Sequence, residues 1–180
     1  MNISTPIVAV YMGDQLVEEM RRADRLIKIG EIAATLVKNL PGGVEMVFGP
    51  ITRGGIMATD PETGIKSPSY KSNLKALELS ILALQQQGHL IFNQLIFKSF
   101  IDRQRLMWLS KHNRTPHMWH EPLLHEFYAP ILETGYVITG HFILDWQRGK
   151  SAKFAHDTLK RLDKKRVEHP AGLQVRSLAA

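Results

Sequence analysis

Residues 136–162 read YVITGHFILDWQRGKSAKFAHDTLKRL, and this stretch decides the fold class. Its first part, 136–144, is an apolar run rich in β-branched and aromatic residues, which is typical of a buried strand. A short turn containing Gly and Ser follows, and the residues after it have helical periodicity. The apolar positions of that predicted helix share one face: Ala152, Ala155, Leu159 and Leu162. A strand that leads through a turn into a helix is the repeating unit of parallel α/β sheets.

The rest of the chain shows the same alternation of strands and helices. Further strands are predicted over 6–12, 44–51 and 89–97. Helices are predicted over 14–40, 71–88, 98–110 and 123–135, and loops over 56–70 and 111–122. Gly30 is a candidate interruption of the first helix, and Pro41-Gly42-Gly43 is its stop signal. The pattern predicts an α/β fold in which helices flank a doubly wound, mostly parallel sheet.

Length and composition indicate a globular chain. A length of 180 residues suits one compact fold, and 44% hydrophobic with 22% charged residues is an ordinary balance. We divide the sequence into a strand/helix extension over 1–43, an α/β domain over 44–165 and a basic tail over 166–180. No apolar run has the roughly 18–20 residues that a membrane helix needs. The first residues carry no targeting pattern, so we expect a cytoplasmic protein.

The chain is basic and contains no cysteine. A net charge of +6 and an isoelectric point near 9.7 favour an anionic partner, either nucleic acid or a phosphorylated small molecule. Much of the excess lies in one run over 160–176, where a solvated helix end is the commoner explanation. The absence of cysteine excludes disulfides, thiolate nucleophiles and zinc sites with cysteine ligands.

The letters Gly149-Lys150-Ser151 suggest a P-loop, but the spacing excludes it. A P-loop needs a glycine five positions before the Gly-Lys-Ser, because its backbone amides wrap the phosphates. Leu144 occupies that position, inside the predicted strand.

The second turn of interest, FGPITRGG over 48–55, follows the strand over 44–51. It places small residues and backbone amides at the carboxyl end of a strand, where open α/β folds bind ligands. Thr52 offers a hydroxyl, and Arg53 can pair with a phosphate through its planar guanidinium. A tight turn with a surface arginine is an equally good interpretation of this stretch alone.

Histidines are frequent, and three of them lie close together in HMWHEPLLH. His117, His120 and His125 have Glu121 beside them, but Pro122 breaks the helix that a metal site of the H-E-x-x-H type requires. We therefore expect polar loop histidines here and no metal site.

In order along the chain, several segments match one known plan. These segments are GPITRGG, KALELSILALQQQGH, LIFNQ, LLHEFYAPILETGYV, FILDW and GKSAKFAHDTLKRL. Over 44–162 the chain resembles the nucleoside 2-deoxyribosyltransferase-like superfamily, which includes deoxyribosyltransferases and nucleoside 5′-monophosphate N-glycosidases. The resemblance implies a nucleoside or nucleotide ligand, cleavage or transfer at the N-glycosidic bond, no cofactor and a homo-oligomer. The helix over 14–40 is the candidate interface for that oligomer.

The resemblance also implies a set of binding residues. Those that would border the sugar-phosphate are Gly49, Pro50, Thr52, Arg53, Gly54 and Gly55. Asn93 and Gln94 would end the next strand of the family. Trp146, Gly149, Ser151 and Ala152 would present amides and a hydroxyl to a phosphate at a helix N-terminus. Both turns are expected at the same rim of the parallel sheet.

The chain departs from the family at the catalytic positions. Ala155 stands where the family has its glutamate nucleophile, and Tyr128 stands where an acid contacts the base. Alanine can neither attack the anomeric carbon nor stabilise an oxocarbenium ion. Three explanations of Ala155 compete. The nucleophile was removed by engineering, or the chain binds its ligand without catalysis, or another carboxylate acts in its place. Candidates for that group are Glu126 and Asp145, with His156 for proton transfer.

Two other functions remain open on the sequence. One is a non-catalytic module that senses or binds nucleotides. The other is a nucleic-acid-binding protein that uses its basic residues Lys160, Arg161, Lys164, Lys165 and Arg166. The absence of aromatic residues from that run argues against stacking on single strands.

Overall fold

The computed structural model describes residues 14–112, 119–170 and 173, and the chain forms two compact units. The first unit consists of Met1–Val44 and Phe92–Val137, and the second of Glu45–Ile91 and Ile138–Ala180. The strand predicted over 6–12 and His117 lie outside the described residues.

A three-stranded parallel sheet flanked by helices is the centre of the architecture, which confirms the predicted α/β class. Its strands are β1 (Val44–Phe48), β4 (Val137–Ile143) and β5 (Lys165–His169), in the order β1-β4-β5. Strand β4 pairs with β5 from Thr139 opposite Lys165 to Ile143 opposite His169. The sequence analysis missed β5, whose residues it assigned mainly to the basic tail. Its exposed charged side chains are typical of an edge strand.

Helices α3 (Tyr70–Gln86) and α6 (Lys150–Arg161) lie on opposite faces of this sheet. A Cβ on Gly140 would meet Leu159 of α6, whereas Ile143 lines a cavity together with Ala76 and Ser80 of α3. Gly140 and Ile143 point to opposite faces because side chains alternate along a strand. Both helices were predicted correctly from their apolar spacing. In α3 the Ser69 hydroxyl accepts a hydrogen bond from the Ser72 amide as an N-cap.

Two segments between β1 and α4 (Lys98–His112) differ from the prediction. The region predicted as a loop over 56–70 contains an antiparallel hairpin of β2 (Met57–Thr59) and β3 (Lys66–Pro68). The strand predicted over 89–97 is wrong. Its pairing is reduced to one parallel bridge between Ile91 and Glu45. Its end is a 3₁₀ turn, Gln94–Phe97, because the Asn93 side chain accepts from the Leu95 amide and starts that turn.

The first unit is helical in its described part. It contains α1 (Asp14–Arg22), α2 (Leu26–Asn39) and α4 (Lys98–His112). A further helical run, α5, combines His120–Pro122, a π-helical segment Leu123–Tyr128 and Ala129–Leu132. Its core includes Phe92, Phe97 and Phe127. The ring centroid of Phe97 lies 5.9 Å from that of Phe92 and 5.7 Å from that of Phe127.

The helix predicted over 14–40 is broken, but not at Gly30. The break falls at 23–25, where Arg103 and Gln104 of α4 donate to the carbonyl oxygen of Ala23 at 3.0 and 2.7 Å. These side chains satisfy the carbonyls at the end of α1, so the chain can leave the helix there. Gly30 lies inside α2 and is buried.

Among the described helices, none combines the length and the apolar character that crossing a membrane would require.

Candidate binding site at the carboxyl ends of the strands

Two turns pack directly against each other at the carboxyl ends of β1 and β4. A Cβ on Gly149, which precedes α6, would lie 3.1 Å from Pro50 Cα and 3.3 Å from the Gly49 carbonyl oxygen. A Cβ on Gly54 would lie 2.6 Å from two side-chain carbons of Arg148. Glycine therefore permits this close approach of the two backbones. The two turns singled out in the sequence form one rim.

Asn73, in the first turn of α3, holds the turn after β1 in its shape. Its side-chain oxygen accepts from the Ile56 amide at 2.6 Å. Its side-chain nitrogen donates to the carbonyl oxygens of Ile51 and Gly54, at 3.2 and 3.0 Å. Asn73 is buried, so its side-chain amide depends on these backbone groups for its hydrogen bonds.

A cavity of about 230 Å³ opens beside this rim. Its lining is mostly apolar and comes from the turn, from α3 and from the end of β4. Residues that line it include Pro50, Ile56, Asn73, Leu79, Ile143 and Leu144. Pro50 also contacts Gly149, so the cavity and the start of α6 share a wall. Such a volume suits one flat ring system rather than a large ligand.

The start of α6 is suited to an anion. Its N-cap residue is Gly149, which has no side chain to accept from the first amides of the helix, and an anion could accept from them instead. Exposed cations flank this end: Arg148 and Lys150 beside the cap, and Arg53 in the facing turn. The helix dipole and these charges favour a phosphate over a neutral group. Thr52 is exposed and Ser151 is half-buried.

Beneath this turn the side chains are packed, and this region includes Ala155. Ala155 is 0% exposed. The neighbouring His156 stacks on Trp146 with ring centroids 4.4 Å apart, and its edge meets Phe142. The indole nitrogen of Trp146 is buried without a hydrogen-bond partner among the described residues. Ala152 is also buried, as expected for the apolar face of α6.

Asp145 stands at the carboxyl end of β4 and is half-buried. Its backbone is left-handed, with φ 60°, and its carbonyl oxygen accepts from the Arg148 amide at 3.0 Å. It is therefore the acidic candidate that the structure places at the rim.

Four of the predicted site residues belong to the first unit. Asn93 caps the 3₁₀ turn described above, and Gln94 is buried. Glu126 lies in the π-helical segment, where its carbonyl oxygen approaches Gly30. Tyr128 is buried in the same segment, and burial raises the pKa of its phenol to about 12.

Of the histidines considered for a metal site, His120 and His125 are described and His117 is not, and no group with metal-ligand spacing among the described residues includes either of the first two. His125 lies 3.4 Å from Glu121, and both side chains are exposed. A group with suitable spacing occurs elsewhere, at Glu45, His89 and His141.

Sequence reasoning missed Asn73 and Arg148 as parts of this rim. The available signal for Asn73 was its place on the buried stripe of a predicted helix, four positions before Leu77.

A scan against protein-family models, a search of curated proteins and a search of solved structures each find no significant match.

Proposed function

We propose that the chain binds a nucleoside 5′-monophosphate or a related nucleotide at this rim. The observation that carries the proposal is the contact between Gly149 and Pro50, because it joins a helix start with a glycine N-cap to the wall of an apolar cavity. In this arrangement the cavity receives the flat base and the first amides of α6 receive the phosphate. The deoxyribosyltransferase-like group remains the family that we propose for the chain.

We propose that the chain binds this ligand and that residue 155 takes no part in glycosyl transfer. A covalent mechanism needs a carboxylate that reaches the anomeric carbon, whereas Ala155 has no functional group and is fully buried. If cleavage is measured, Asp145 is the carboxylate that we propose for it, with His156 assisting proton transfer. Assembly as a homo-oligomer is part of the same proposal.

Calorimetric titration with matched pairs of nucleosides and their 5′-monophosphates tests the proposal. We expect each bound monophosphate to bind about tenfold more tightly than its nucleoside, since only the phosphate can use the helix start. Lys150→Ala should weaken the monophosphate about fivefold, the equivalent of about 1 kcal/mol, and leave the nucleoside unchanged. Chromatography of the same mixtures for free base measures any turnover.

Lys160→Ala is the matched control, because Lys160 is an exposed lysine in the last turn of the same helix. Ten residues of helix place it about 15 Å from Lys150. Equal loss of affinity in both variants, or no binding of any nucleotide, would contradict the proposal. Strongly salt-dependent binding of single-stranded DNA that only Lys160→Ala weakens would instead support the nucleic-acid-binding alternative.

A further inference from the structure

A compact group of one carboxylate and three imidazoles lies on the α3 face of the sheet. Glu45 comes from β1, His141 from β4 and His169 from β5, and His89 follows α3. Alternation along β4 places His141 on the same face as Ile143, which lines the cavity. The group belongs entirely to the second unit and takes no part in the rim contacts described above.

The distances within this group are short. One carboxylate oxygen of Glu45 lies 2.5 Å from Nε2 of His141 and 3.0 Å from Nδ1 of His89. The three ligand atoms of these residues lie within 4.8 Å of one another. In a tetrahedral zinc site, with bonds of about 2.0–2.2 Å, neighbouring ligand atoms are about 3.4 Å apart. Small side-chain adjustments would therefore bring all three atoms to a common ion.

We propose that Glu45, His89 and His141 form a binding site for a divalent transition metal of the zinc type. One carboxylate and two imidazoles are a ligand set that such ions take in proteins, with the fourth position left to water or another ligand. His141 is nearly buried while the side chain of His89 is 36% exposed, so the ion would be anchored in the sheet and still reached from solvent.

His169 supplies the outer partner that such a site needs. Its Nε2 lies 2.9 Å from Nδ1 of His141, the ring nitrogen that points away from Glu45. Metal-bound histidines almost always donate their second ring N–H to such an acceptor, which fixes the tautomer and the ring orientation. Here His141 would bind the ion through Nε2 and donate from Nδ1 to His169.

Burial, only partly offset by Glu45, lowers the pKa of His141 below its usual value. Burial opposes ionisation of Glu45, but hydrogen bonds with His141 and His89 hold the pKa of its carboxyl below the usual value. Without the ion, tautomers that donate from Nε2 of His141 and Nδ1 of His89 would satisfy the carboxylate. With the ion bound, each imidazole would carry its proton on the other ring nitrogen.

A self-contained hydrogen-bond network is the competing explanation of these contacts, and titration with Zn²⁺ separates the two. We expect the full chain, freed of metal by chelation, to bind one equivalent of Zn²⁺. His89→Ala should weaken that binding about 100-fold or more, because loss of a ligand exceeds the usual effect of an outer partner. His169→Ala removes such a partner and should weaken binding about 10–100-fold.

His125→Ala is the matched control, since His125 is an exposed histidine beside Glu121 that lacks a third ligand in the described chain. It should leave Zn²⁺ affinity unchanged. Co²⁺ gives a second readout, because tetrahedral Co²⁺ absorbs visible light far more strongly than octahedral Co²⁺. Circular dichroism checks that each variant is folded, and the exposed position of His89 makes its variant the mildest.

Two results would overturn the proposal: no binding of Zn²⁺, or binding that folded His89→Ala and Glu45→Gln proteins retain at full affinity. The latter would place the ion at other histidines. Neither result bears on the nucleotide proposal, because its ligand and its variants are different.

Discussion

The main chain of Glu126 lies directly against Cα of Gly30, so that two helices of the first unit touch backbone to backbone. A Cβ on Gly30 would overlap the carbonyl oxygen of Glu126 and lie 3.1 Å from Cα of Phe127. Gly30 has ordinary helical geometry inside α2, so its role is close packing rather than conformational freedom. It faces the π-helical segment of α5, and this contact gives a physical reason for a glycine in mid-helix.

Gly30→Ala should destabilise the protein. Helix propensity alone would make the change favourable by about 1 kcal/mol, but the added methyl meets rigid backbone and forces α2 and α5 apart. We expect a net loss of roughly 2 kcal/mol, measured by urea denaturation with helix signal as the probe. Lys38→Ala, on the exposed side of α2, should stay within about 0.5 kcal/mol. An increase in stability for Gly30→Ala would show that the contact is absent.

Asn73→Ala should cost more than an ordinary polar substitution. It removes three hydrogen bonds and leaves the Ile56 amide and two carbonyls of the turn without their partner. We expect a loss of roughly 3 kcal/mol and weaker nucleotide binding, since the turn is no longer held in place. Asn39→Ala, at the exposed end of α2, is the control and should be nearly neutral. Equal stabilities for the two variants would argue against the assigned role of Asn73.

Asp60 gives a prediction about pH. Hydrogen bonds from Thr63, and then from the Glu62 amide, lower the pKa of its carboxyl below the ordinary 3.8. Because the folded pKa is the lower one, the stabilisation is complete above pH 3.8 and is lost as pH falls through the folded value. Carboxyl carbon chemical shifts should show this titration and loss of the hairpin turn together. Titration of the Asp60 carboxyl at the ordinary value would exclude these hydrogen bonds in solution.

Long apolar runs allowed much of the fold to be predicted, and short polar elements did not. α3 and α6 each bury a regular face, so helical periodicity identifies them, and β4 is buried on both faces, so a continuous apolar run identifies it. β2 and β3 have three residues each and are largely exposed, so no apolar pattern marks them. β5 reads Lys-Arg-Val-Glu-His, and its pairing with β4 is the only reason that it is a strand.

The site was predictable where topology alone decides its position. Parallel strands end at one edge of a sheet, so the turns after Phe48 and Ile143 could be expected together. The group of Glu45, His89 and His141 could not be, because residues 44 and 96 positions apart meet only through strand order and register. Local periodicity carries no information on such contacts.

Ala155→Glu introduces the carboxylate that the proposed family would have at this position, and it tests whether the surroundings of residue 155 can hold a charge. Ala155 is fully buried, so the larger side chain is overpacked and its charge is desolvated. We expect a loss of roughly 3–5 kcal/mol at pH 8. The raised pKa of the introduced acid should make that loss grow as pH rises above about 4.3. Ala155→Gln has the same shape without charge, and its smaller loss of stability should not depend on pH.

Urea denaturation across a pH series measures the stability of both variants. A stable Ala155→Glu protein whose stability follows that of Ala155→Gln at every pH would mean that position 155 is open to solvent, and the proposal of binding without glycosyl transfer would then lose its structural basis.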